Sequence, residues 1–342
     1  MMVGDVAGDK RYFADMIDEV RAKLAHLADD SPIKRCFPKA RLDAIGVKIE
    51  ASSTETLEWG RWQPAFRFLR NSSDAAVQAF DDDLRLVERH SATNDNKLFD
   101  FLTSESEDAQ PWVGGSFEIY VKATLLRSGE ALNASLDWKL PNGRRPDMKI
   151  DLGARSICIE CTSLGESRAS DERWDRHIES MQENRNAVFF ERQDAYTQSR
   201  RVYAKVFDKI APRFNVDQGQ LNADAPNLLM ISMNSVTSDL TARSPAVGWA
   251  LDELFASQPT GNHSPASLCE WLMLQRKQPE RTSSTLEDLL RALAQVSGIL
   301  VFDGCKLGAA RINYNADAAH AISHAEITAV ERLLSGPPLY AQ

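Results

Sequence analysis

Two short runs decide how this chain folds: Arg145-Pro146-Asp147-Met148-Lys149-Ile150-Asp151-Leu152, and Ser156-Ile157-Cys158-Ile159-Glu160-Cys161-Thr162-Ser163-Leu164. Both read as extended segments, and turn residues bracket them: Pro141-Asn142-Gly143 before the first and Gly153 before the second. Tight antiparallel connections fit that pattern. Each run carries an acid in a place that needs explaining. Asp147 follows Pro146, and thirteen residues later Glu160 interrupts the apolar Ile157-Cys158-Ile159. An acid in the middle of an inner strand is costly to bury unless it is paired or binds a metal.

Working outward, a helix over about 116–127, ended by Gly129, comes before these runs, with a further extended run at 131–138 between. A long charged helical region follows at about 172–210, with a break near 184–186, and then a buried-strand pattern at 228–233. From 116 to 233 the order is therefore helix, strand, strand, strand, helix, strand. Downstream come helices at 246–256 and 286–296, strands at 299–302 and 310–314, and a C-terminal helix. Ser323 and Glu326 have the spacing of a capping box, which starts that helix at His324 and leaves His320 and His324 as surface histidines. Upstream, Phe13, Met16, Val20, Leu24 and Leu27 mark a helix over 11–28. Val77, Phe80, Leu84 and Val87 mark another over 75–89, capped by Asp74. A polar stretch at 104–110 divides the chain into a helical N-terminal region, 1–110, and an α/β core with a C-terminal extension, 111–342.

The element order, with Pro146-Asp147 and Glu160-Cys161-Thr162, resembles the PD-(D/E)XK nuclease superfamily. The resemblance covers about 116–233. It implies a restriction-endonuclease-like αβββαβ core, in which a mixed central sheet is flanked by helices, here with a helical N-terminal region added. It also implies a Mg²⁺ or Mn²⁺ site with Asp147 and Glu160 as ligands and the backbone carbonyl of Cys161 as a further one. Glu118, at the start of the helix where many members carry a glutamate, would bind a second ion or orient a metal-bound water. Hard carboxylate oxygens suit these ions, which can hold a phosphate oxygen and acidify an attacking water. The departure is Thr162, where the family pattern has a lysine that positions the water and stabilises developing charge. Lys149, Lys122 and Lys205 are candidates to supply the cation, and Lys149, which shares the strand face of Asp147, is favoured. The catalytic set is then Glu118, Asp147, Glu160 and Lys149, acting on phosphodiester bonds of DNA in restriction, repair or defence. The alternative is a degenerate core that binds nucleic acid or a protein partner without catalysis. The same acids also admit a structural reading, with Glu118 as a first-turn acid, Asp147 as a strand-entry residue and Glu160 as an exposed edge residue.

Composition narrows the setting. A chain of 342 residues with net charge −9 is not a nonspecific coat for nucleic acid, which needs clustered Lys and Arg. A local reversal occurs between Arg185 and Arg213, where seven basic residues face three acidic ones. Five scattered cysteines do not make a disulfide framework, and Cys158 and Cys161, three apart on a strand, point to opposite faces. No window has the length of uncharged apolar residues needed to span a bilayer, and residues 1–10 lack a signal-like apolar block, so the expected location is the cytoplasm. The expected partners are DNA and, through the helical N-terminal region, a second copy of the chain or another protein.

Overall fold

A computed structural model describes residues 6–51, 64–91, 99–104, 110–127, 134–136, 140, 143–144, 146–152, 155–164, 195–211, 219–233, 245–255, 283–303 and 306–334. They fall into two compact units that divide between Ala123 and Thr124.

The first unit is helical: α1 (Val6–His26), α2 (Pro32–Cys36), α3 (Lys39–Ala51), α4 (Pro64–Asn71), α5 (Asp74–His90), α6 (Asp100–Thr103) and most of α7 (Gln110–Arg127). Met16, Val20, Leu24 and Leu27 of the predicted stripe are all buried, as are Val77, Phe80, Leu84 and Val87 of α5. Phe13 lies outside the residues whose side chains are described. Ser73, not Asp74, caps α5, its side chain accepting from the Ala76 amide. The extended backbone of Ser73 leaves its oxygen free to fold back on the first turn, whereas Asp74 is already helical. Buried Asp81 accepts from Ser31 Oγ at 2.5 Å, and Ser31 Oγ in turn accepts from the Lys34 amide and so caps α2. Trp112 sits among Phe68, Phe80 and Phe101. Gly115 permits that packing, because a Cβ there would come within 2.2 Å of the Phe101 ring.

The second unit is built on one six-stranded mixed sheet in the order β1 (Ala134–Ser135), β2 (Met148–Asp151), β3 (Ser156–Leu164), β4 (Asn227–Met233), β5 (Val296–Asp303) and β6 (Lys306–Tyr314). β1, β2 and β3 form an antiparallel meander; β3, β4 and β5 are parallel; β6 returns antiparallel. Gly143, at φ +79°, closes the turn before β2, where a side chain would be strained. Helices α8 (Ala195–Ile210), α9 (Pro245–Leu254) and α10 (Ser283–Leu293) cover one sheet face. There Val202, Val206, Phe207 and Ile210 of α8 join Val247 and Leu251 of α9, Leu289 of α10, and Leu229, Ile231, Ile299 and Val301 of the strands. The part of the predicted helical region at 172–194 lies outside the described residues. No helix among the described residues is long and apolar enough to cross a membrane.

Helix α11 (His324–Leu334) starts where the capping box places it. The Ser323 amide donates to Glu326 Oε2 at 2.8 Å, and the Glu326 amide donates to Ser323 Oγ at 3.3 Å. Arg155, in the β2–β3 turn, adds a two-pronged bond to the Glu326 carboxylate, at 2.5 and 2.6 Å. Those hydrogen bonds from Arg155, helped by Ser323 and opposed by burial, bring the Glu326 carboxyl down from 4.5 to about 2. A depressed carboxyl stabilises the fold above its unfolded value, and the contribution is lost as pH falls. The stability difference between wild type and Glu326→Gln should therefore be about 1–2 kcal/mol above pH 5, the partial exposure of Arg155 weakening the bond. It should shrink to nothing as pH falls from about 4.5 to about 2, as read by urea denaturation at each pH. A difference that stays constant over this range would remove the charge from the explanation.

Candidate functional site

The sheet register draws the central acids together. Met148 pairs with Ile159 at the end of the β2–β3 ladder, and Asp147 and Glu160 are the next residues beyond that pair on the two chains. Residues directly opposite in an antiparallel pair show the same face. The Cys161 amide donates to Asp147 Oδ2 at 2.6 Å, which fixes that carboxylate against β3. Glu160 pairs with Leu229 of β4 on its other side, so it belongs to an inner strand, and its side chain is only 2% exposed. The reading of Glu160 as an exposed edge residue is thereby overturned.

Burial of that carboxylate is matched by a cation from the covering helix. Lys209, in the last turn of α8, places Nζ 2.5 Å from Glu160 Oε1. Burial pulls the ammonium toward neutrality. The charge of Glu160, then that of Asp147, and the hydrogen bond to Glu160 outweigh it and hold Lys209 protonated well above the usual lysine range. One ammonium thus answers to both carboxylates.

Glu118 belongs to the first unit, where it forms an ion pair with buried Lys122 one helical turn away. Lys149 stands across the ladder from Cys158 and lines a cleft of about 290 Å³ with Arg155, Ser156, Asn222, Asp224 and His320. Neither Asp147 nor Glu160 lines that cleft. Lys205, half-buried, lies one helical turn before Lys209. Thr162, buried, shares the strand face of Glu160 two residues on. Cys158 is buried, and burial pushes its thiol up despite a bond from Asn222 Nδ2, as befits an uncharged core thiol. Comparison with protein-family models, curated proteins and solved structures finds no match to this chain.

Lys209 is the residue that sequence reasoning did not single out, although it stood among the seven basic residues of the 185–213 stretch. A signal was present. Lys209 falls seven residues after Val202 and three after Val206, on the flank of the buried stripe of α8, where a charge needs a partner on the sheet.

The donor set fits a divalent cation. Among the described residues no three His, Cys, Asp or Glu side chains gather at one point. Mg²⁺ commonly binds through one or two carboxylates and keeps several waters, which Asp147 and Glu160 can satisfy. Lys209 is the group such an ion would meet at Glu160. Removing one partner of a buried ion pair leaves an uncompensated charge. Lys209→Met is therefore expected to destabilise the fold by about 3–5 kcal/mol, and Glu160→Gln by less, because the 23% exposed lysine can reach water. Joint Glu160→Leu and Lys209→Met should recover most of the loss in chemical denaturation; strict additivity of the single losses would contradict the pairing.

Proposed function

We propose that the chain is a metal-dependent phosphodiesterase acting on DNA, an endonuclease on a restriction-endonuclease-like αβββαβ core. Asp147 and Glu160 are its metal ligands, and Lys209 is the cation missing at Thr162. The observation that carries this reading is the Lys209 ammonium at Glu160, under the charge of Asp147 as well. It supports a site in which the lysine reaches the acids from α8 instead of from two residues along β3. Lys209 is favoured over Lys149 and Lys205 on the strength of its ion pair with Glu160.

Mg²⁺ or Mn²⁺ bound by Asp147, Glu160 and the Cys161 carbonyl would polarise the phosphate and acidify the attacking water. The protein's own groups do the rest. The Cys161 amide holds one oxygen of Asp147 and sets the carboxylate's orientation. Lys209 supplies a positive charge within reach of the acids, where negative charge builds on the phosphate oxygens as the bond to the leaving group weakens. Aliphatic residues of α8 and β4 exclude bulk water on one side, which strengthens each of these interactions.

A second reading draws on the same ion pair. With Glu160 already neutralised by Lys209, the core serves as a metal-free module that binds nucleic acid or a protein partner. DNA binding that is indifferent to divalent ions, with no cleavage, would select it.

Cleavage of plasmid or duplex DNA in Mg²⁺ or Mn²⁺ separates the two. Asp147→Ala and Glu160→Ala should each lower the rate at least about 100-fold, and Lys209→Met by about 100-fold. Adding Thr162→Lys to Lys209→Met should restore part of the rate, because it returns an ammonium to the same strand face as Glu160. Activity unchanged by both alanine substitutions would end the proposal.

A further inference from the structure

Glu160 and Lys209 meet where a divalent cation would need the same oxygen. The Glu160 carboxylate is 2% exposed, and Lys209 Nζ lies 2.5 Å from its Oε1. An ammonium and a divalent ion sharing one buried carboxylate repel each other strongly at low dielectric. Simple removal of the ammonium would leave a buried charge uncompensated, so the two cations must exchange. Lysine suits an exchange. Its charge rides on a flexible four-carbon stem with rotatable donors, and Lys209 is 23% exposed in the last turn of α8. Once displaced, the ammonium needs a new counter-charge, since Asp147 faces the same ion and is held by the Cys161 amide. A phosphodiester oxygen is the anion the proposed reaction brings to this point.

We infer that Lys209 is an internal competitor for the metal, holding Glu160 until a phosphate group of nucleic acid draws the ammonium off, so that divalent-ion binding and phosphate binding are positively coupled. The inference rests on the proposed metal centre and adds to it an order of events. Metal binds weakly to the free protein, and substrate completes the site. Such coupling is reciprocal: the metal strengthens phosphate binding by the same factor, between about 5- and 150-fold for coupled sites of ordinary strength.

Mn²⁺ titration of the full chain, followed by the electron paramagnetic resonance signal of the free ion, tests this. It is run with and without an oligodeoxynucleotide whose phosphorothioate linkages resist cleavage, and Mn²⁺ taken up by the oligonucleotide alone is subtracted. The wild-type protein should bind Mn²⁺ at least about 5-fold more tightly with the oligonucleotide present. Lys209→Met should bind Mn²⁺ about 10-fold more tightly than wild type without it and show no further gain with it. Should that variant fail to fold, Lys209→Arg, which keeps the charge, should keep the wild-type dependence, and the wild-type comparison decides by itself. Equal Mn²⁺ affinity with and without the oligonucleotide, in a protein whose Mn²⁺ binding is lost in Asp147→Asn, overturns the coupling and leaves the metal centre standing. Mn²⁺ binding that survives Asp147→Asn, or no binding at all, overturns both.

Discussion

A carboxylate set in the middle of an inner β-strand, under an aliphatic helix layer, has to be answered by a positive charge. In this chain Glu160 is that carboxylate and Lys209 the answer. Burial of an isolated ionised group costs several kcal/mol even after relaxation, so the pair sets a condition that the surrounding elements must meet. β3 must present Glu160 to the α8 side, which fixes its register against β2 and β4. Helix α8 must carry Lys209 on the flank of its apolar stripe, between Val206 and Ile210, and turn it toward the sheet.

The neighbouring polar contacts extend the same constraint across the unit. Asp147 is tied to the Cys161 amide, so the entry to β2 is locked to the strand that carries Glu160. Arg155 ties the following turn to Glu326 and so to the capped start of α11. At the start of β4, buried Asn227 donates to the carbonyls of Asn222, Ala225 and Gln295, while its amide donates to Ser297 Oγ. That network holds the approach to β4 against β5, so the strands on either side of Glu160 are both anchored at their ends. The proposed centre of two acids and a lysine needs that rigidity, because loose positioning of charged groups forfeits their effect.

Where local chemistry is self-sufficient, the sequence was readable. Ser156–Leu164 emerges as a strand with the boundaries its apolar run and flanking turn residues suggest, and Ser323 with Glu326 starts α11 as the capping box requires. The mixed helix-flanked sheet agrees in its coarse form with what the resemblance, drawn from the order of elements and the two acid-bearing runs, implied. What escaped was long-range. Asp74 looked like a cap because its type is right, but Ser73 holds the extended backbone that a cap needs. The apolar run around Glu160 pointed to an inner strand, but the exposed-edge alternative is closed only by β4 lying beside it, with Leu229 as its partner. Lys209 was visible only as one charge among seven, since its meaning comes from a partner 49 residues away. Lys149 satisfied the strand periodicity that made it attractive, yet two residues along β2 place it beside Cys158 and the Asn222 cleft.

In the proposed centre, Asp147 and Glu160 form a divalent-ion site whose cationic partner is Lys209. Crystals of the full chain grown or soaked in Mn²⁺ with a cleavage-resistant oligonucleotide would show it directly in an anomalous difference map. The expected result is a Mn²⁺ peak bridging the Asp147 and Glu160 carboxylates, with the Lys209 ammonium shifted from Glu160 onto a phosphate oxygen. Lys209 still paired with Glu160, and no anomalous peak between the two acids, would contradict it.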